Sequence, residues 1–235
     1  YYNQRVDNAI YPVYDIPSLG FIAPQVKNVA GLKAKGFELA AEAVLVRIPS
    51  LDWSVPVNVA THQSEVLEFG HETAVPENVF GSQWNRPGYP VAAFFTEDDD
   101  YIGPAYPARS LQLGTQVRLP AGVSIRALVD HQGGHYLESN TLRALDAAAV
   151  PPGETFDAPA SDYVFKADFW RLREVGLDYQ VPERVFRALP VQSVQLNIAG
   201  RNLLRSQSYP GIEVEASYNP LLQRANQTYF GAPLP

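Results

Sequence analysis

From Trp53 onward the chain alternates apolar and polar side chains: Trp53, Val55, Val57 and Val59 fall on one side and Ser54, Pro56, Asn58 and Ala60 on the other. A period of two is the signature of a half-buried strand. The run before it repeats the pattern, with Phe37, Leu39, Ala41, Ala43 and Leu45 against Glu38, Ala40 and Glu42. Leu111, Leu113, Val117 and Leu119 alternate with Gln112, Gly114, Gln116 and Arg118, and after Pro120-Ala121 come Val123, Ile125, Ala127 and Val129 against Ser124, Arg126 and Asp130. So short a break reads as a hairpin. Arg173, Val175, Leu177 and Tyr179 then alternate with Glu174, Gly176, Asp178 and Gln180, and Val194, Leu196 and Ile198 with Gln195, Asn197 and Ala199. An opening strand, less regular, completes the set.

The pattern predicts strands near 4 to 14, 36 to 48, 52 to 63, 110 to 119, 122 to 133, 168 to 181 and 192 to 203. The connections are then about 21, 3, 46, 2, 34 and 10 residues, long and short by turns, so that with antiparallel neighbours every short one falls at the same end. A soluble sandwich has no reason to keep that parity. A transmembrane β-barrel does, with short periplasmic turns and long extracellular loops, and its strands need only about 9 to 11 tilted residues. The expected fold is therefore all-β, an antiparallel transmembrane barrel segment.

Composition adjusts this picture at a few points. No run of 18 apolar residues is present, which excludes a helical membrane protein. The net charge of −7, with no cluster of Lys and Arg, argues against a nucleic-acid surface. Aromatic residues near strand ends, including Tyr11, Tyr14, Phe37, Trp53, Phe169, Trp170 and Tyr179, suit interfacial girdles. The chain has no Cys, hence no disulfide, and no Met; its start in mid-strand is expected of part of a longer polypeptide. Seven strands are too few to close, since such barrels start at eight.

Several segments carry a family resemblance. Residues 28–39 (NVAGLKAKGFEL), followed by the strand 53–58, are similar to the glycine-led approach to a barrel strand in TonB-dependent outer-membrane receptors of the SusC/RagA type. Segments 88–95 (GYPVAAFF), 101–107 (YIGPAYP), 166–182 (KADFWRLREVGLDYQVP) and 200–203 (GRNL) resemble further motifs of that family, in family order. The resemblance implies the C-terminal third of a 22-stranded barrel, lacking the N-terminal extension, TonB box, plug domain and final strand. It also implies import of glycan or peptide oligomers across the bacterial outer membrane, with a SusD-like surface lipoprotein as lid and TonB engaged through the missing N-terminal region. The loop between Glu65 and Arg109 is compact beside the family's usual insertion.

Site residues follow from strand phase. Glu38, Glu42, Arg118, Arg126, Glu174, Asp178, Gln180, Gln195 and Asn197 are expected to face the lumen, because the lipid face must be apolar. Trp84, Tyr89, Tyr101, Tyr106, Tyr136, Tyr209 and Tyr218, in long loops, are candidates for stacking on sugar or covering peptide. His131 and His135 have a spacing that grips metal on a helix, but two Gly place them at a strand exit, and no metal site is expected. Asp98, Asp99 and Asp100 could hold calcium loosely, although the loop lacks EF-hand spacing; no cofactor is expected. No Gly-x-Ser-x-Gly elbow is present, so no enzyme is expected. Two other readings stay open: a structural outer-membrane subunit completing a barrel or sheet with other chains, and a soluble β-rich binding module.

Overall fold

A computed structural model describes residues 1–13, 25–70, 75–76, 82–187, 190–215 and 227–228. Its main sheet has seven strands, which we label β1 (Tyr2–Val13), β2 (Gln25–Ile48), β3 (Leu51–Phe69), β4 (Arg109–Arg118), β5 (Val123–Gly133), β6 (Phe169–Gln180) and β7 (Gln195–Gln207). Each pairs antiparallel with its neighbour in sequence, so all seven expected strands form one meander.

Where bounds differ from expectation, they differ mostly at the loop end. β2 begins at Gln25 rather than near 36, and β3 runs to Phe69 rather than 63, because Leu32 and Val66 still alternate inward and keep the ladder going. The expected long connection between β1 and β2 therefore shrinks to 14–24, comparable with the turn 181–194 at the other end. Strict long-short alternation holds for the four connections between them, 49–50, 70–108, 119–122 and 134–168. β1 is irregular for a visible reason: Asn8 has φ +58° and the register shifts on both sides of Ala9.

One of the two short hairpins is set by left-handed backbone conformations. At 119–122, Ala121 (φ +62°) and Gly122 (φ +82°) both take left-handed conformations, and Leu119 N–H donates to the carbonyl of Val123. Positive φ at both central positions is what right-twisted strands need for a tight reversal.

Register divides the sheet into two faces. One row runs Trp53, Val117, Ile125, Leu177, Ile198, and another Leu39, Val59, Leu111, His131, Trp170. This face is apolar and open: Ile198 is 73% exposed, Leu177 45% and Leu113 42%. The apolar face extends on β6 from Trp170 to Tyr179, roughly 9 residues at about 3.3 Å each, or about 23 Å tall at a tilt near 40°. That matches a bilayer's apolar band. Trp53 and Tyr179 lie toward its short-turn end, and Phe37 and Trp170 toward its loop end.

Among the described residues, burial is concentrated at the loop end. There the connection 70–108 folds into short strands Gln83–Asn85, Ala93–Phe95 and Tyr101–Gly103, with Phe94 and Phe95 fully buried. The connection 134–168 carries strands Tyr136–Ser139 and Val164–Lys166 and a helix, Asn140–Ala149, capped by the Ser139 hydroxyl, which accepts from Leu142 N–H at 3.3 Å. No described helix is long and apolar enough to cross a membrane.

Val175 sits mid-band on the apolar face, whereas Gln112 pairs across strands with Asn58 and Asp130 on the polar one. Val175→Arg is expected to destabilise the barrel in lipid vesicles by about 2–4 kcal/mol, and Gln112→Arg by less than about 1 kcal/mol, in guanidinium unfolding titrations.

Candidate functional site

All nine expected lumen residues fall on one face of the sheet. Pairing aligns Gln180 with Gln195, Asp178 with Asn197, Arg118 with Ser124, Glu38 with Ala60 and Glu42 with Pro56, and Arg126 with Gln116 and Gly176. Four of the nine are joined to one another by contacts, with Arg201 as a fifth member. The Arg126 guanidinium donates to Glu174 at 2.8 Å and to Asp178, Asn197 donates to Asp178 at 2.5 Å, and Arg201 donates to Glu174 at 3.0 Å. Gly176 makes room for this ladder, since a Cβ there would lie 2.6 Å from the Arg126 guanidinium carbon. Arg118 donates to Asp52 at 3.3 Å and Gln180 to the Val194 carbonyl at 3.1 Å.

Arg173 departs from the expected phase. The register shifts between Leu172 and Glu174, so Arg173 is a bulge residue, not a member of the apolar row. Its guanidinium bonds both oxygens of Asp130 at 2.7 Å and reaches Glu215. The shift also swaps parity, which brings Phe169 and Arg171 onto the polar face. Arg171 and Glu213 are both almost wholly buried and meet at 2.5 Å; Arg171 also contacts Glu215 at 2.6 Å, and Arg205 reaches Glu213 at 3.1 Å. This cluster ties the segment after β7 onto the sheet. Its signal in the sequence is a mismatch: three Arg near the loop end of β6 and β7, and Glu213 and Glu215 soon after. Burial opposes ionisation of Glu213, but the Glu215 N–H and the Arg171 guanidinium more than offset it and hold the carboxyl below its ordinary range.

The loop aromatics do not form one surface. Tyr209 is 3% exposed and packs with Leu137, Phe169 and Phe165, so it is a core residue rather than a ligand contact. Tyr136 packs over Gly103, where a Cβ would come within 2.2 Å of its ring, and Trp84 lies 5.2 Å from the Arg86 guanidinium. Tyr89, Tyr101 and Tyr106 do converge, lining a cleft of about 320 Å³ with Lys33 and Lys35. Burial pushes the Tyr101 phenol above its ordinary pKa, so it stays a hydrogen-bond donor. Tyr14 and Tyr218 lie outside the described residues.

The two histidines occupy different settings. His131 Nδ1 lies 2.7 Å from the Phe169 carbonyl, and its ring stacks on Trp170 at 4.5 Å on the apolar face. His135 is buried beneath the loops. Asp99 pairs with Arg86 at 2.6 Å, and the Asp100 N–H donates to the Thr96 hydroxyl. Among the described residues no three acidic or histidine side chains gather as metal ligands.

Comparison with solved structures gives the fold a precedent. The RagAB peptide transporter aligns over 96% of this chain with a TM-score of 0.76 at 15% identity, and the RagAB peptide importer in its 'closed-closed' state with 0.72 at 16%. The chain shares the fold of part of those transporter chains. It covers 30% of the first of those transporter chains. TonB-dependent receptor P3 of Formosa agariphila is 37% identical over 67 residues, 28% of this chain and 7% of that receptor. No protein-family model matches the sequence.

Two measurements probe the loop-end packing. Burial, with His131 adding to it and Asp168 opposing, lowers the His135 pKa to about 4 from 6.5. The unfolded chain therefore binds a proton that the folded chain refuses, and stability falls as pH drops from 6.5 toward 4, by about 3 kcal/mol in all. His135→Gln is expected to flatten that part of the stability-pH curve in unfolding titrations. Arg171→Leu, which strands buried Glu213, is expected to cost about 3–5 kcal/mol locally, read as faster proteolysis and hydrogen exchange of residues 208–215.

Proposed function

We propose that this chain forms the C-terminal part of the barrel of an outer-membrane, TonB-dependent importer of oligomeric nutrients. The single observation that carries the reading is the two-faced sheet: an exposed apolar face of bilayer height, backed by a polar face laddered with Arg126, Glu174, Asp178 and Asn197. An apolar surface of that size is costly in water and expected in lipid. The polar face, with Glu38, Glu42, Arg118, Gln180 and Gln195, lines the lumen and meets a plug supplied by other parts of the receptor.

Two features support a barrel larger than this sheet. β1 and β7 each have one neighbour among the described residues, and an unpaired strand edge cannot stand in hydrocarbon. The likeness to RagAB, named as a peptide transporter, favours peptide over glycan as cargo, carried beneath a SusD-like lipoprotein lid and driven through TonB. The long connections 70–108 and 134–168 fold at one end of the sheet, where a lid would meet them.

Fractionation and uptake test this together in the organism that encodes the chain. The receptor is expected in the detergent-extracted outer membrane, and its deletion, or deletion of TonB, is expected to abolish uptake of fluorescent oligopeptides. Membrane recovery with unchanged uptake of both peptides and oligosaccharides would instead leave a structural β subunit.

A further inference from the structure

β3 runs past the end of β4, and the edge it leaves is covered at two places with a gap between them. Along that edge every second residue points its N–H and C=O away from β2. His62 N–H donates to the Ala108 carbonyl at 2.9 Å. Further along, Val66 N–H donates to the Tyr89 carbonyl at 2.9 Å, and the Val66 carbonyl accepts from Gly88 N–H at 2.8 Å. Ser64 lies midway in an unbroken stretch of the β2–β3 ladder, so its N–H and C=O point to the same edge. Neither bonds another backbone group there among the described residues.

The flanking segments cannot close this gap themselves. Beyond Tyr89 comes Pro90, which has no N–H to give, and Val91 N–H goes instead to the Ser64 hydroxyl at 3.2 Å. On the other side Ala108 is preceded by Pro107, which likewise cannot donate. Over the gap lies the cleft of about 320 Å³ lined by Ser64, Tyr89, Tyr101 and Tyr106. It takes side chains from both rows of the hairpin, Lys33 and Lys35 from one and His62 and Ser64 from the other. His62 and Tyr106 also line a recess on the polar face with Ser110 and Gln132, so the cleft adjoins the interior.

An unpaired N–H and C=O on one strand residue are the complement of one residue of another strand, and that pairing is how an extended peptide joins a sheet edge. A glycan has no main chain of that spacing. Charge narrows the peptide further: Lys33 and Lys35 outnumber Glu65, so the lining is net positive and suits carboxylates. The three tyrosines, 38 to 43% exposed, keep ring surface free for side chains. From this, and resting on the importer reading above, we infer that the cleft binds an extended acidic stretch of peptide cargo as a short added strand. Its main chain pairs with Ser64, its carboxylates lie toward Lys33 and Lys35, and its other side chains lie among the tyrosine rings.

The full receptor in mild detergent is titrated with fluorescein-labelled Glu-Thr-Glu-Thr-Glu and read by fluorescence anisotropy. Saturable binding is expected, weakened roughly tenfold when every internal amide of the peptide is N-methylated, because the main-chain bonds to Ser64 are then lost. Ser64→Pro removes an N–H that the β2–β3 ladder does not use, and should weaken the unmodified peptide roughly tenfold as well, with Lys166→Gln as an unaffected control. K33Q/K35Q should erase the preference for this peptide over Gln-Thr-Gln-Thr-Gln, which localises binding even where Ser64→Pro misfolds. Equal binding of methylated and unmodified peptide, or equal binding by wild type and a Ser64→Pro receptor shown folded by heat-modifiable mobility, overturns the inference and leaves the importer reading standing. Displacement of the label by maltoheptaose but not by unlabelled peptide would make it a glycan site and also overturns it. Unchanged peptide uptake on deleting the receptor overturns both readings.

Discussion

Backbone hydrogen bonding between neighbouring strands is the constraint on which everything else here depends. In hydrocarbon no water can satisfy a stray N–H or C=O, so each strand must be paired along its whole membrane span. The seven strands meet this by continuous ladders, interrupted at isolated bulges such as that at Arg173. Once the ladder fixes register, period-two side chains have no freedom left: one set faces lipid and the other the interior. The ladder of Arg126, Glu174, Asp178, Asn197 and Arg201 is a consequence of that register, since cross-strand pairing alone brings charges from three strands into contact.

Because lipid solvates one face, the sheet needs no core behind it. Packing is instead concentrated where the strands leave the bilayer. Phe94 with Ala92 and Ala105, Leu137 with Phe169 and Tyr209, and Val66 with Ala30 and Phe69 form apolar clusters there. Phe169 connects the two regimes: it belongs to β6, yet the parity change at Arg173 turns it inward under the loops. The same change delivers Arg171 to Glu213. A single bulge thus converts a strand that reads as membrane-spanning into an anchor for a folded cap.

That bulge also marks the limit of what the sequence discloses. Alternation made the seven strands and the facing of all nine polar residues legible, because period two is a local property that survives any tertiary context. It misplaced Arg173, since an extra residue leaves no local trace beyond the break in phase it causes. The helix Asn140–Ala149 was missed although Ser139 caps a helical run of Leu and Ala, its signal lost inside a long connection. Tyr209 could not be told from a ligand-stacking tyrosine, because burial in the cap depends on contacts with Leu137 and Phe165 far away in sequence. Strand facing is decided two residues at a time, and loop burial is not.

The extension of β3 beyond β4 follows from the same rule and explains why a cleft exists at all. A ladder that ended flush with the membrane would leave the loops to pack only on one another. Here the hairpin continues to Ala30 and Phe69; His62 N–H still donates to the Ala108 carbonyl, and further along the edge Val66 takes Gly88 and Tyr89 as its partners. The loop is thereby held against β3, where Val91 packs with inward-facing Val66, and the cleft beside it takes its lining from both rows of the hairpin, Lys33 and Lys35 from one and His62 and Ser64 from the other. Where one strand outlasts its neighbour, the unpaired edge dictates which loop docks against it.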